Sequence, residues 1–183
     1  MSTHNTPTQL DSKGHTKGHN QNHRGIRIGY GEDAHKLTEG RSLVVAGVRI
    51  PESPRGALAH SDGDVVLHAL ADALLSAFAL GDIGQYFPPS DPKWRDMDSQ
   101  DIVQAVKSII VEKSYALDIS NVAIVVTLDV PKLGKHRSLL QSSLMTLLEL
   151  PEDAIGITFK TSEGLAPDHI QARVSLLAYT KTL

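Results

Sequence analysis

The sequence predicts an α/β (α+β) fold, in which a single mixed β-sheet carries helices packed on one face. Stripes of apolar residues at helical spacing intermix along the chain with short β-branched runs, a pattern typical of helices around one sheet. The length of 183 residues suits one domain with a full-sized core. A hydrophobic content of 40% and a charged content of 21% are ordinary for a globular protein.

The N-terminal segment differs in composition from the rest of the chain. Residues 1–24 are polar and nearly free of large apolar side chains, so we expect a disordered tail followed by a single domain over residues 25–183. Without packing, the histidines of the tail would bind metal only weakly. They are His4, His15, His19 and His23.

The folded part begins with a strand and a hairpin. Ile26 to Gly29 predicts a short strand that ends at the glycine, and Val44 to Ile50 predicts a hairpin that turns at Ala46-Gly47. A loop over residues 51–59 leads to the first helix. We expect Ser61 or Asp62 to cap this helix and Gly81 to end it. Its apolar face consists of Val65, Val66, Ala69, Leu70, Ala73, Leu74, Ala77 and Phe78.

The second half of the chain continues the same mixture of elements. Asp98-Ser99 predicts the start of a second helix, with its apolar stripe at Ile102, Val103, Val106, Ile109 and Ile110. The β-branched run from Asn121 to Leu128 predicts a buried strand. Further elements are a third helix over Leu139 to Leu150 and strands over Ile155 to Phe159 and Arg173 to Tyr179.

Charge and composition exclude several classes of function. The net charge of −3, with neutral histidines, gives no electrostatic case for nucleic acid or for an anionic membrane. The absence of cysteine excludes disulfides, thiolate nucleophiles and cysteine-bound zinc. No apolar run approaches the ~20 residues of a membrane span, and the N-terminus has no hydrophobic signal core. We therefore expect a cytoplasmic protein.

One set of residues has the composition of a divalent metal site. Asp33 and His35 alternate on an extended segment, so both side chains point to one face, and His68 lies on the first helix. Three ligands of the Asp/His/His type leave one tetrahedral position open, which is the usual layout of catalytic zinc. A buried histidine held by a carboxylate without metal fits the spacing about as well, and both interpretations stay open.

Two further segments flank the first helix. His60 and Ser61 precede its N-terminus, where backbone N–H groups suit an anion such as phosphate, although a capping serine beside an exposed histidine is the commoner meaning. At its exit, Asp82-Ile83-Gly84 offers a carboxylate that either accepts hydrogen bonds from sugar hydroxyls or forms an ordinary turn.

Polar side chains also follow two of the predicted strands. Pro131-Lys132 comes after the buried strand, where the ammonium group either meets a ligand or is simply solvated. The run from Lys160 to Gly164 combines a cation, two hydroxyls and a carboxylate. Such a set could hold phosphate and Mg²⁺ together, or it could be a polar turn.

Taken together, these segments resemble the 2-C-methyl-D-erythritol 2,4-cyclodiphosphate synthase family. The resemblance is close from Arg27 to Asp91, and it is looser but in order from Asn121 to the C-terminus. Its specificity lies in the whole run from His60 to Phe87 rather than in any single histidine.

The resemblance implies a lyase of non-mevalonate isoprenoid (terpenoid) biosynthesis. The implied reaction converts 4-CDP-2-C-methyl-D-erythritol 2-phosphate into 2-C-methyl-D-erythritol 2,4-cyclodiphosphate, with release of CMP. It also implies a homotrimer with active sites between neighbouring subunits. The partners are then a small CDP-linked substrate and other copies of the chain, with no nucleic acid and no membrane.

The resemblance also implies residue roles. Asp33, His35 and His68 would bind one Zn²⁺ per chain, and Glu163 would bind a second cation, Mg²⁺ or Mn²⁺. His60 and Thr161 would be catalytic. The residues that would contact substrate are Asp33, His35, His60, Ser61, Asp82, Ile83, Gly84, Phe87, Asp91, Pro131, Lys132, Leu133, Thr161, Ser162 and Glu163.

Two segments depart from the family pattern. After Leu165 the chain reads Ala166 to Arg173, and the aromatic residue and the arginine of the family are missing at their usual positions. In the second segment, Leu128-Asp129-Val130 stands where small residues and an amide are more usual. Two alternatives stay open. A metal-dependent phosphohydrolase would use the same site with bound water and free inorganic phosphate. A trimeric paralogue that binds CDP-type ligands without turnover is the alternative that the altered segment favours.

Overall fold

A strand of 15 residues, β1 (Gly25–Glu39), organises the sheet. The structure is a computed structural model that describes residues 25–88, 90–94, 97–113 and 116–180. The tail predicted over residues 1–24 lies outside these ranges. The other strands are β2 (Leu43–Val45), β3 (Val48–Ile50), β4 (Arg55–Ala57), β5 (Asp118–Leu128), β6 (Ile155–Lys160) and β7 (His169–Thr180).

Five of these strands form one mixed sheet in the order β4-β1-β7-β5-β6, and β2 and β3 form a separate hairpin. Neighbours in the sheet are antiparallel except β5 and β6, which are parallel. The helices are α1 (Val65–Ala77), α2 (Ile83–Tyr86), α3 (Ser99–Glu112) and α4 (Arg137–Leu148). Three short 3₁₀ turns cover Pro92–Trp94, Leu133–His136 and Glu152–Ala154. The predicted mixed sheet is therefore confirmed.

The predicted end of the first strand at Gly29 is wrong, because β1 continues through two glycines to Glu39. These glycines mark a close approach of α1 to the strand. A Cβ atom at Gly29 would lie 2.0 Å from the carbonyl oxygen of Ala73, and one at Gly31 would lie 2.2 Å from that of Ala69. Glycine inside a strand is the residue that allows such a contact between two backbones.

The cap predicted for α1 is also wrong, because Asp64 holds the helix N-terminus rather than Ser61 or Asp62. The buried Asp64 carboxylate accepts the N–H groups of Val66 and Leu67 at 3.0 and 3.2 Å. It also accepts those of Ala46 and Gly47, at 2.9 and 2.6 Å, so it ties the hairpin turn to the helix. Burial raises the pKa of Asp64 to about 6, against the lowering effect of its backbone donors.

The remaining elements match their predictions in type, with shifted ends. The hairpin turns at Ala46-Gly47, where both residues have positive φ, and Asp98 caps α3 as expected. The first helix ends at Ala77, four residues before Gly81, and β7 begins at His169 rather than Arg173. Within the described ranges, no helix has both the length and the apolar composition needed to cross a membrane.

The two faces of the sheet differ in cover. The odd-numbered residues of β1 around Gly29 and Gly31 face α1, and the even-numbered ones face away from it. Ile26, Ile28 and Tyr30 on that second face are 66%, 73% and 51% exposed. We call this surface the open face of the sheet. The alternation also directs Asp33 and His35 toward α1.

Candidate active site

A group of three potential metal ligands forms where β1 passes α1. Asp33 and His35 project from β1, and His68 projects from the first turn of α1. Each residue offers one ligand atom, and the three atoms lie within 4.8 Å of one another. The sequence therefore predicted this juxtaposition correctly. We call these residues the metal triad.

The contacts within the metal triad could accommodate a cation. The Asp33 Oδ2 atom lies 2.9 Å from Nδ1 of His68 and 3.1 Å from Nε2 of His35. The Nε2 atom of His35 is buried and has no partner in hydrogen-bonding geometry among the residues that the structure describes. A buried imidazole nitrogen without a hydrogen bond, close to a shared carboxylate oxygen, would find a partner in a cation bound beside them. Two imidazoles and a carboxylate are ligands that Zn²⁺ accepts.

The charges of the metal triad support one another. Burial raises the pKa of Asp33, but the contacts with His35 and His68 outweigh it, so the pKa of this carboxyl falls well below its usual range. Burial lowers the pKa of His68, but the hydrogen bond with Asp33 outweighs it, so this pKa is raised above the ordinary 6.5. The site therefore favours a positive charge between the carboxylate and the imidazoles.

The far side of the His68 ring is also engaged. Its Nε2 atom lies 2.9 Å from Oγ of the fully buried Ser99 and 3.2 Å from Oγ of Ser61. The Ser99 hydroxyl in turn contacts Oδ1 of Asp62. The sequence did not indicate Ser99, and it predicted Asp62 as a helix cap. Ser99 lies 31 positions from His68 and 37 from Asp62, so these residues meet only in the folded chain.

A cleft of about 370 Å³ opens beside the metal triad. We call it the metal cleft. It brings together eight of the residues predicted for the site and adds four that the sequence did not indicate. The predicted residues are Asp33, His35, His60, Ser61, His68, Ile83, Gly84 and Phe87, and the additional ones are Leu58, Ala59, Trp94 and Ile102.

Carboxylates shape the α2 side of the metal cleft. Asp72 of α1 accepts the N–H of Ile83 at 2.8 Å and so fixes the start of α2. Burial raises the pKa of Asp72. The Asp82 side chain caps α2 by accepting the N–H of Gln85 at 3.1 Å, and Asp91 accepts that of Lys93 at 3.0 Å. Neither Asp82 nor Asp91 is among the residues that line the cleft.

The N-terminus of α1 does not provide the anion site that the sequence suggested as one interpretation. The Asp64 carboxylate occupies two of its N–H groups and places a negative charge at the positive end of the helix dipole. Ser61 is buried and its hydroxyl accepts the N–H of Gly63 at 3.1 Å, whereas His60 is exposed at the mouth of the cleft. A phosphate would therefore meet the His60 side rather than the helix terminus.

A second cleft, of about 420 Å³, lies at the ends of β5 and β6 and shares no lining residue with the metal cleft. We call it the lysine cleft. Four of the residues predicted for the site line it, namely Lys132, Leu133, Thr161 and Glu163. Its other lining residues are Val126, Leu128, Gly134, Phe159 and Lys160. Pro131 is buried, and neither it nor Ser162 lines the cleft.

The loop after β6 is held by hydrogen bonds on both sides. Asp129 accepts the N–H and the hydroxyl of Ser162 at 2.6 and 2.7 Å, which lowers the pKa of Asp129. The Ser162 hydroxyl also accepts the N–H of Ala166 at 2.9 Å. The two segments that depart from the family pattern thus meet at Ser162. Its polar atoms are engaged within the loop.

The same loop presents a strained glutamate. Glu163 has φ of 54°, a left-handed conformation that is uncommon outside glycine, and its carboxylate accepts the Thr161 hydroxyl. Strain of this kind persists where the surrounding structure demands it, and it clusters at functional sites. Farther along, Arg55 forms an ion pair with Asp168 and donates to the Pro167 carbonyl at 3.0 Å, which anchors the atypical segment to β4.

Comparison with known proteins finds similar proteins over most of the chain. The model of the YgbB family matches residues 26–180. A protein of Thermus thermophilus named 2-C-methyl-D-erythritol 2,4-cyclodiphosphate synthase is 56% identical over 152 residues, which is 83% of this chain and 98% of that protein. A solved structure of a synthase of the same name in a CDP-bound form has a TM-score of 0.77 at 55% identity, covering 83% of this chain and 99% of that one. A relative from Plasmodium falciparum, titled as a CDP complex, has a TM-score of 0.72 at 32% identity, covering 87% and 99%.

Proposed function

This chain belongs to the 2-C-methyl-D-erythritol 2,4-cyclodiphosphate synthase family of isoprenoid biosynthesis, and from that premise we propose how its two clefts divide the reaction. It is an enzyme of the phosphorus–oxygen lyase type. The metal cleft binds the phosphorylated end of a CDP-linked substrate, and the lysine cleft binds the cytidine end. The observation that carries this proposal is the metal triad, which lies in a cleft with an apolar wall and the exposed His60.

The proposed step is an intramolecular phosphoryl transfer. An oxygen of the substrate 2-phosphate attacks the β-phosphorus of its own diphosphate. The bond from that phosphorus to the oxygen bridging to the α-phosphorus breaks, and CMP leaves with the electron pair. A phosphate is already ionised near neutral pH, so a strong general base is unnecessary. The protein has to position and neutralise anionic groups, as in other phosphoryl transfers.

Two divalent cations fit the residues of the two clefts. Asp33, His35 and His68 would hold Zn²⁺, and Glu163 would hold Mg²⁺ or Mn²⁺, since carboxylate oxygen is a preferred ligand of hard cations. Bound cations of this kind neutralise diphosphate charge and polarise the reacting phosphorus. His60 would donate to the transferring phosphate from the cleft mouth. Thr161 donates its hydroxyl to Glu163 in this structure, and it would turn this proton to the diphosphate once a cation occupies the Glu163 carboxylate.

The other predicted substrate contacts are assigned by the cleft in which each residue lies. Ile83, Gly84 and Phe87 line the metal cleft, so the tetritol part of the substrate would lie against them, near the carboxylates of Asp82 and Asp91. Leu133 and Lys132 line the lysine cleft beside Pro131, and the base would lie there. The structures titled as CDP-bound support a cytidine site in this family. For Ser162 we propose a structural role only, which is to hold the loop after β6.

One assay tests the proposed function. The purified protein is incubated with 4-CDP-2-C-methyl-D-erythritol 2-phosphate and divalent cations, and CMP, cyclic diphosphate and inorganic phosphate are measured together. We expect CMP and the cyclic product in equal amounts. Release of inorganic phosphate without cyclic product would indicate a phosphohydrolase. Tight binding of CDP without turnover would indicate a non-catalytic relative.

The Lys132→Ala variant is expected to raise KM with little change in kcat. Lys132 is exposed at the rim of the lysine cleft, remote from the metal triad in the proposed arrangement, so its contact would bind ground state and transition state equally. Loss of one such hydrogen bond from a charged donor typically costs about 1.5–3 kcal/mol, or roughly 10–150-fold in KM. Steady-state kinetics measure both constants.

The matched control for this variant is Lys135→Ala. Lys135 lies three residues further on and is paired with Glu52 at 2.8 Å, outside the residues that line the lysine cleft. Its replacement should leave both constants unchanged. A large fall in kcat with an unchanged KM for Lys132→Ala would show that the lysine acts on the reacting groups instead.

We also propose that the protein is a homotrimer in which the metal cleft of one subunit faces the lysine cleft of its neighbour. Two features support this arrangement. The clefts share no lining residue, although one substrate must reach both. The open face of the sheet leaves Ile26, Ile28 and Tyr30 exposed side by side on β1, which is apolar surface that an assembly would cover.

Mixed assemblies test this arrangement. Co-expression of the His35→Ala and Glu163→Gln chains, each inactive alone, should restore about a quarter of the wild-type activity in randomly mixed trimers, because one interface in four then combines two intact clefts. Sedimentation equilibrium should give three chains per particle at micromolar concentration. A monomer, or no restored activity in proven mixed trimers, would contradict the shared site.

A further inference from the structure

We propose that Ser99 and Asp62 form a hydrogen-bonded relay that fixes the His68 ring for metal binding. The inference rests on the proposed zinc site and assigns two positioning residues to it. Ser99 lies at the first position of α3, and Asp62 lies in the loop before α1. Neither belongs to the residues that the sequence implied for the site. We call the chain of contacts from Asp62 through Ser99 to His68 the serine relay.

The direction of the serine relay follows from donor and acceptor chemistry. An ionised carboxylate only accepts hydrogen bonds, so the Ser99 hydroxyl must donate its proton to Oδ1 of Asp62. The Ser99 oxygen, 2.9 Å from Nε2 of His68, is then left to accept. The proton of a neutral His68 ring therefore lies on Nε2.

The consequence appears on the other side of the ring. With the proton on Nε2, the Nδ1 atom of His68 presents a lone pair to Asp33 Oδ2, 2.9 Å away. Two lone pairs at that distance repel each other unless a cation lies between them. The serine relay thus selects the tautomer that binds metal and excludes the one that would only hydrogen-bond to Asp33. A histidine bound to metal usually donates its other N–H to a fixed acceptor, which orients the ring.

Burial and further hydrogen bonds hold the serine relay in place. Ser99 is fully buried and His68 is 7% exposed, so water does not replace the relay. Asp62 is itself fixed because its Oδ2 accepts the N–H of Ser99 at 3.1 Å and its Oδ1 accepts that of Asp64 at 3.1 Å. The alternative acceptor, Ser61 Oγ, is farther from Nε2, at 3.2 Å, and already accepts the N–H of Gly63.

The test measures the zinc dissociation constant by competition with a chelating dye, at one pH, for the wild-type protein and for Ser99→Ala, Asp62→Asn and the double variant. Each single variant should weaken zinc binding by about 10–100-fold, as is typical when the partner of a metal-bound histidine is removed. The double variant should bind zinc no more weakly than the worse single variant, because both changes break the same chain of hydrogen bonds.

Controls separate the relay from a purely structural role. Ser108→Ala on the same helix removes a hydroxyl that donates to the Gln104 carbonyl, and it should leave zinc affinity unchanged. Thermal unfolding of the metal-free variants reports stability separately. If Ser99→Ala fails to fold, the nearly isosteric Asp62→Asn carries the test. Zinc affinity within about threefold of wild type in the folded variants, or additive losses in the double variant, would overturn the relay.

The result also distinguishes the relay from the zinc site itself. A wild-type protein that binds no zinc would overturn both proposals. Tight zinc binding in the wild type, together with unchanged affinity in Asp62→Asn, would leave the zinc site in place and remove the relay alone. The absorption spectrum of the Co²⁺-substituted protein gives a second readout, and it should change in Ser99→Ala and remain unchanged in Ser108→Ala.

Discussion

His35→Ala should abolish stoichiometric zinc binding and lower turnover by about 100-fold or more, because one of three protein ligands is removed and the remaining pair holds the ion weakly. Within the described part of the chain, Nε2 of His35 is buried and has no hydrogen-bond partner, so no structural role of this atom competes with metal binding. Elemental analysis of the purified variant measures the zinc, and CMP release measures the turnover. A variant that keeps one zinc per chain would remove His35 from the site.

The control for this variant is His136→Ala. His136 is bonded to Glu52 at 2.6 Å and lines neither cleft, so its loss should leave zinc content and CMP release as in the wild type. Equal zinc loss in the two variants would indicate a general effect of removing histidine rather than the loss of a ligand.

The same site should release zinc as the pH falls. The pKa of His68 in the metal-free protein is raised above 6.5, so the protonated ring, which cannot bind metal, persists to a higher pH than in an ordinary histidine. Zinc affinity should therefore reach its full value well above about pH 7, and it should decline as the pH falls toward and below about 6.5. Asp33 adds nothing to this decline, because its pKa is lowered and it stays ionised. A decline in affinity that begins only below about pH 6.5 would contradict the sign of this shift.

Thr161→Ala and Glu163→Gln should each lower kcat by about 100-fold or more, since preorganised donors and charges at the reacting diphosphate act mainly in the transition state. Thr161 and Glu163 line the lysine cleft and contact each other, and the left-handed backbone at Glu163 holds its carboxylate in place. Glu163→Gln should also weaken the Mg²⁺ dependence, because an amide is a poorer ligand for a hard cation. Zinc content should be unchanged in both variants, since neither residue belongs to the metal triad.

Matched controls exist for both substitutions. Thr158 lies on β6, just before the loop that carries Thr161, and is exposed, so Thr158→Ala should be neutral. Glu149 shares the left-handed conformation of Glu163, with φ of 58°. It pairs with Lys107 and does not line the lysine cleft. Glu149→Gln removes the charge of a glutamate with the same backbone conformation, so it should leave kcat unchanged. Near-wild-type CMP release in both Thr161→Ala and Glu163→Gln would contradict the roles carried over from the family, while leaving the zinc site untouched.

The sequence was sufficient to predict the parts of the site that depend on local periodicity. Asp33 and His35 share a face because strand side chains alternate, and they reach His68 because that same face packs against α1. The failed predictions share a physical cause. Gly29 was interpreted as a strand end, although a glycine in a strand also permits close helix contact, and only the packing of α1 distinguishes the two.

Other features could not be predicted because they join residues far apart in the chain. Asp64 caps α1 instead of Ser61 or Asp62 because its carboxylate also receives the turn of the β2–β3 hairpin. The two atypical segments were recognised separately from the sequence, and only the fold shows that Asp129 and Ala166 both bond to Ser162. Hydrogen bonds of this kind leave no pattern in the sequence.

The glycines at positions 29 and 31 of β1 would have a thermodynamic consequence for metal uptake. Because α1 lies directly on the strand at Gly29 and Gly31, the distance between the backbones that carry Asp33 and His68 is set by van der Waals contact, with no intervening side chain that could yield. The conformational entropy is therefore lost when folding brings the ligands together, and not when an ion binds. Uptake of zinc at the proposed site would then require desolvation and proton release but little rearrangement of the backbone.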